Sequence, residues 1–215
     1  MLNNIFNFYF FSVSGSYALF SSIKIQTPNN VYEPGNDLLR EIRRDIVFKG
    51  PINVYSFMKS CLTHPKHGFY IKEDVFGLKG HFTTSPEVSQ IFGELIGVWV
   101  IYEYLKSDCK LPLRIVELGP GRGTLTSDVS RVCNNFKTLQ NFETSFHLVE
   151  MSPFLIDKQK KTLCNDEGNV TKFGQKIQWS SSLNEVNLNS NCFTVYISNE
   201  FFDAFPIYKF AVRFL

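Results

Sequence analysis

The feature that most constrains this chain is an alternation of strand-like and helix-like segments from residue 113 onward. LRIVELG is a short, apolar, β-branched run, and LTSDVSRVCNNF has helical spacing. SFHLVEM, SPFLIDKQKKTLC, KIQWSS and CFTVYISNEFF continue the series as strand, helix, strand and strand. Strands separated by helical segments of this length indicate βαβ units and a parallel sheet. An α/β fold with a parallel sheet is therefore expected over residues 111–215.

The upstream part reads differently. NDLLREIRRDIVF carries Leu38, Leu39, Ile42, Ile46 and Val47 at a period near 3.6, and Gly50-Pro51 ends it. INVYSFMKSCL reads as a second short helix, stopped at Thr63-His64-Pro65, and the stretch GFYIKEDVFGLKGHFTTSP is rich in turns. Ser85-Pro86-Glu87 supplies an N-cap, a first-turn proline and an early carboxylate. One helix is predicted from there through VSQIFGELIGVWVIYEYLK to about Lys106, mostly buried because it is nearly all apolar. Residues 35–110 thus form an N-terminal helical region, with 107–112 as a linker. Residues 1–34 read as an organelle-targeting leader; Asn, Ser and Gly interrupt their apolar run, which argues against a membrane span.

Composition removes several classes. Apolar residues make up 44% of the 215-residue chain, charged residues 20%, and the net charge is +2. These are values of an ordinary globular protein. No Lys/Arg block points to nucleic acid or an anionic membrane. The five cysteines are scattered without a C-x-x-C pair, against a zinc site or disulfide framework and in favour of a reducing compartment. His64 and His67 have HxxH spacing, but Pro65 between them makes a structural turn the better reading than a metal site.

The glycine-rich turn VELGPGRGTL follows the first strand, and three ligands compete for it. A P-loop requires G-x-x-x-x-G-K-[ST], and no lysine follows these glycines. A dinucleotide loop, G-x-G-x-x-G/A, would need glycine or alanine where Thr124 stands, and Glu150 lies beyond the roughly 20 residues at which that fold places its ribose-binding acid. S-adenosylmethionine is met by E/D-x-G-x-G-x-G, which Glu117, Gly119, Gly121 and Gly123 match. Lacking phosphates, that cofactor needs main chain passing close beside its methionine part, where side chains would collide. Glu117 can accept from its ammonium, Glu150 from both ribose hydroxyls, and Ser181, in the turn after the next strand, can reach the adenine.

A second dense cluster is ISNEFFDAFPIYKF, past the fourth strand. Its carboxylates suit a guanidinium, a poor nucleophile because its lone pairs are delocalised. A bidentate grip orients one nitrogen and localises density on it, and the negative wall offsets repulsion from a cationic methyl donor. Glu200 is the first candidate for this role, Asp203 the second, and Asn199 a polar orienter. In the alternative reading Asp203 caps a turn and Phe201, Phe202 and Phe205 are core.

With these residues in hand, the chain resembles the MidA-type methyltransferases, a family that includes the mitochondrial assembly factor for respiratory complex I. GPINVYSFMKSCLTHPKHGFY, GLKGHFTTSPEVSQIFGELIGVW, VELGPGRGTLTSDVSRV, HLVEMS and NEFFDAFPIYKF carry the resemblance, in family order. It implies a class I methyltransferase fold, S-adenosylmethionine as cofactor and protein arginine as substrate. For mitochondrial members it implies a matrix location, with a complex I subunit as partner and symmetric dimethylarginine as product. Two departures stand out. His81 occupies the place of the family aspartate in G-D-F-x-T-S-P, and the sequence ends at Leu215, where the family continues. Only the first half of the sheet, in the order 3-2-1-4, is therefore expected, and a non-catalytic assembly chaperone or an inactive fragment is the alternative to an enzyme. A nicotinamide oxidoreductase is disfavoured by Thr124.

Overall fold

The computed structural model describes residues 37–72, 83–108, 110–136, 143–165, 168–186 and 191–210. The leader and His81 lie outside them. The upstream region is helical: α1 (Asp37–Lys49), α2 (Val54–Thr63), and the single turns α3 (Phe69–Lys72) and α4 (Ser85–Val88). α2 starts where the Asn53 side chain accepts from Ser56 N–H at 2.8 Å, satisfying an amide that the first turn leaves open. His64 closes α2: its Nδ1 accepts from the amides of Lys66 and His67, and its Nε2 lies 3.0 Å from Glu41 of α1. The HPKH turn is thus a tie between helices.

The expected single helix to Lys106 is broken in two. Thr84, not Ser85, occupies the N-cap position of α4. Ser89 then leaves the helix with extended dihedrals and caps α5 (Gln90–Lys106), its hydroxyl accepting from Ile91 N–H at 3.3 Å. A serine that can serve its own backbone competes with continuous helix. Burial of α5 is also one-sided. Gly93, Gly97, Val100, Ile101 and Tyr104 are buried, whereas Ile91, Leu95, Val98, Tyr102 and Leu105 are exposed. Phe92 and Trp99 pack against the core; Tyr102 does not and carries Lys106 over its ring.

The sheet follows: β1 (Leu113–Leu118), α6 (Thr124–Asn135), β2 (Thr144–Val149), α7 (Pro153–Leu163), β3 (Lys176–Ser180) and β4 (Phe193–Ile197). All neighbouring strands are parallel, as the alternation predicts, and the order is β3-β2-β1-β4, as the family resemblance implies. The last strand stops at Ile197, so the NEFFDAF cluster lies beyond it, in a segment whose one regular piece is a 3₁₀ turn at Phe202–Ala204. Alternate residues of each strand, Leu113, Ile115, Phe146, Leu148, Ile177 and Val195, face one core shared with α5, α6 and α7. α5 lies directly on α6. A Cβ on Gly93 would come within 2.6 Å of Asp128, and one on Gly97 within 2.9 Å of Val132, so two glycines one turn apart set this approach. Arg131 spans the seam, 2.8 Å from Asp128 and 3.1 Å from Glu94. Of the four described cysteines, Cys133 and Cys164 are buried and all four are free thiols.

Candidate functional site

β1 has β2 on one side and β4 on the other, so the direction of strand succession reverses at β1. Ligands of open α/β sheets bind at the carboxyl ends of strands beside such a reversal. Four loops meet that edge, and each carries residues singled out from sequence.

The first follows β1. Gly119 N–H donates to the Val149 carbonyl at 3.0 Å, carrying the ladder one step beyond the strand, and Gly123 N–H donates to the Pro120 carbonyl at 2.8 Å. Gly119, Gly121 and Gly123 have φ of +65°, +55° and +84°, left-handed values that favour glycine. The space their missing side chains leave is partly used by the protein itself. A Cβ on Gly119 would sit 2.3 Å from the Phe201 ring, and one on Gly123 3.1 Å from Leu163. Gly123 is also the N-cap of α6, whose open amides and dipole begin at this loop.

Glu117, the penultimate residue of β1, is 3% exposed and accepts a hydrogen bond from the Thr126 hydroxyl. Burial penalises its charged form and lifts the carboxyl to about 7, against the lowering pull of that bond. The loop after β2 presents Glu150. Its Oε1 accepts from the amides of Met151 and Ser152 at 2.8 and 2.9 Å, and its Oε2 from Gln159 Nε2 at 3.3 Å. Burial raises this carboxyl too, opposed by the same bonds. Gln159, fully buried, also donates to the Gly121 carbonyl at 2.7 Å and accepts from Trp179 Nε1 at 2.9 Å. It therefore joins the glycine loop, Glu150 and β3. After β3, Ser181 is exposed, and both its amide and its hydroxyl are held by Glu185 at 2.9 and 2.6 Å.

The fourth loop holds the acidic cluster. Glu200 is exposed at φ +48°, a left-handed value that costs a non-glycine residue on the order of 1 kcal/mol. Its Oε1 accepts from the amide and hydroxyl of Ser85 at 2.9 and 3.0 Å, and Asn199 Nδ2 approaches at 3.4 Å. Asp203 lies in the 3₁₀ turn Phe202–Ala204, of which Phe201 is the N-cap residue, so Asp203 is not a cap. Its charge acts on Tyr70 of α3, whose hydroxyl is raised first by burial and then by Asp203. Phe201 meets Phe202 and Phe205 edge-to-face and the latter two are tilted to each other, with centroids 4.7 to 6.0 Å apart, and Phe202 and Phe205 are exposed. They form an aromatic rim, not core.

Three contributors were not singled out by sequence reasoning: Ser85 and Glu87 of α4, and Gln159. Glu87 Oε1 accepts from the Thr124 hydroxyl at 2.5 Å and Oε2 from Arg122 at 3.2 Å. For Gln159 a signal exists. It is an uncharged residue in a lysine-rich run, four positions from both Leu155 and Leu163, hence on the buried face of α7.

Residues 95–213 match a family described as "Putative S-adenosyl-L-methionine-dependent methyltransferase". The chain belongs to this family. Among relatives of this methyltransferase-family chain is "Protein arginine methyltransferase NDUFAF7 homolog, mitochondrial" of Drosophila melanogaster. It is 41% identical over 185 residues, covering 80% of this chain and 41% of the fly protein. "Protein arginine methyltransferase NDUFAF7, mitochondrial" of Homo sapiens is 40% identical over 191 residues, 82% of this chain and 43% of the human protein. The chain thus spans about two fifths of the length of the curated relatives it matches. A crystal structure from Burkholderia thailandensis, bound to S-adenosyl-homocysteine, shares the fold at a TM-score of 0.56. The two are 23% identical, over 70% of this chain and 40% of that one. The fold is the class I methyltransferase arrangement, a Rossmann-like parallel sheet.

Proposed function

We propose that this chain acts in the S-adenosylmethionine-dependent methylation of arginine on a protein, in the mitochondrial matrix. The acceptor in this reading is a subunit of respiratory complex I, modified during assembly. The observation that carries it is the meeting, at the reversal point of the sheet, of a left-handed glycine loop flanked by Glu117 and Glu150 with the acidic loop of Glu200. The relatives named as mitochondrial protein arginine methyltransferases support the substrate class and compartment.

The residues fit the cofactor. Glu117 is a buried carboxylate that a ligand's ammonium would draw toward ionisation, and Glu150 accepts three hydrogen bonds, leaving acceptor capacity for a ribose hydroxyl. Ser181 and Glu185 lie at the next strand end, within the adenine side of this reading. The bound cofactor supplies an electrophilic methyl on a sulfonium. Glu200, with Asn199 beside it and Asp203 one turn on, supplies the acceptor side: it holds a guanidinium by paired hydrogen bonds and turns one nitrogen toward that methyl.

Calorimetric titration tests the assignment. S-adenosylhomocysteine is expected to bind, NAD is not, and Gly121→Val abolishes the binding because a side chain enters the loop at a left-handed position. Glu200→Gln keeps S-adenosylhomocysteine binding and loses transfer of labelled methyl onto isolated complex I subunits. Tight binding of NAD alone would overturn the cofactor, and undiminished transfer by Glu200→Gln would overturn the role of Glu200.

A further inference from the structure

The turn formed by Ser85, Pro86 and Glu87 touches both halves of the site. Through Glu87 it holds the cofactor side, with Oε1 on Thr124 at 2.5 Å and Oε2 on Arg122 at 3.2 Å. These two residues bracket Gly123, so the carboxylate grips the end of the glycine loop where α6 begins. Through Ser85 the same turn holds the acceptor side, with two donors on one oxygen of Glu200 at 2.9 and 3.0 Å. Because Thr84 is the N-cap residue, the amide and hydroxyl of Ser85 are left to Glu200. Pro86, buried between the two, fixes its own φ and removes freedom that would let the two grips move separately. Glu200 stands at φ +48°, a conformation that persists only where its surroundings over-determine it. The Ser85 bonds are such a constraint, and they cross from the helical region to the far edge of the sheet.

We infer that the Ser85–Glu87 turn is a two-ended clamp: Glu87 is a positioning residue for the cofactor loop, Ser85 is a positioning residue for Glu200, and the rigid turn between them couples cofactor occupancy to the aim of that carboxylate. This rests on the cofactor and acceptor assignments above. Ligand arriving on the glycine loop fixes Arg122 and Thr124, which fixes Glu87, which fixes Ser85 and the carboxylate it holds. The clamp orders the acceptor loop when the methyl donor is in place and leaves it freer when the donor is absent. A second route runs through Phe201, whose ring lies against Gly119, so a test must separate the two.

Hydrogen exchange of the whole chain, with and without saturating S-adenosylhomocysteine, makes that separation. In the parent, ligand slows exchange both in residues 119–126 and in residues 199–205. In Ser85→Pro, which removes both the amide and the hydroxyl donor at a helix start that accepts proline, the first segment is still protected and the second no longer responds, while Ser85→Thr, which keeps both donors, retains the response. Glu87→Ala weakens S-adenosylhomocysteine binding about tenfold, the scale of one lost hydrogen bond to a charged group. Glu87→Gln, which keeps an acceptor for Thr124, recovers part of it. Full protection of residues 199–205 in Ser85→Pro assigns the coupling to Phe201 and overturns the clamp, as does undiminished binding by Glu87→Ala. A parent that fails to bind S-adenosylhomocysteine removes the cofactor assignment itself, and the clamp with it.

Discussion

Glu117 shows how one residue can couple a site to pH. Its carboxyl sits at about 7 in the folded chain because burial disfavours the charge, whereas an unfolded glutamate titrates near 4.3. Between those values the folded chain binds a proton that the unfolded chain has released. The associated stability is complete below about pH 4.3 and is lost as pH rises through 7, up to about 4 kcal/mol across the window. Denaturant unfolding at about pH 5 and about pH 8 should therefore show the parent losing more stability than Glu117→Gln over that interval, and equal losses would place the carboxylate in water. The E-x-G-x-G-x-G pattern singles out Glu117 as a candidate ligand contact. Its seclusion and its Thr126 partner are tertiary facts that the pattern does not contain.

At the scale of elements, the seam between α5 and α6 decides where the glycine loop sits, because α6 opens directly from Gly123. Gly93 and Gly97 let the helices approach until Asp128 and Val132 fill the space their side chains would take. Gly93→Ala should cost about 1 to 3 kcal/mol, the usual penalty of overpacking, in a thermal melt. It should also weaken S-adenosylhomocysteine binding, since α6 is pushed outward and carries the loop with it. An unshifted melting temperature would mean that the seam yields without cost. Both helices were legible from their apolar spacing. The interruption at Ser89 was not, since a serine inside a nearly continuous apolar run gives no outward sign of which hydrogen bond it will choose. The exposed face of α5 was missed for a related reason: a helix apolar all round announces burial without saying by what.

At the scale of the molecule, the strand order followed from the family resemblance and the parallel sheet from strand–helix alternation, because βαβ connectivity leaves few topologies open. The glycines, Glu117 and Glu150 came from the same logic, lying next to strand ends that periodicity marks. Ser85 and Glu87 did not. Their partners are Glu200, Arg122 and Thr124, distant in sequence and adjacent only once α4 is docked over the edge of the sheet. Gln159 is intermediate: its place on the inner face of α7 was readable, its three partners were not. Those partners give the fold an optical property. The chain has two tryptophans, and the indole N–H of Trp179 ends the hydrogen-bonded line that runs through Gln159 to Gly121 and Glu150, with the Lys160 ammonium 5.6 Å from its ring. Indole emission follows the local field, so a ligand that draws on Glu150 or the loop carbonyls should change the colour and intensity of Trp179 fluorescence. Trp179→Phe, leaving Trp99 as the only tryptophan, should silence that change. The site thus carries its own lamp, wired to the residues that would hold the cofactor.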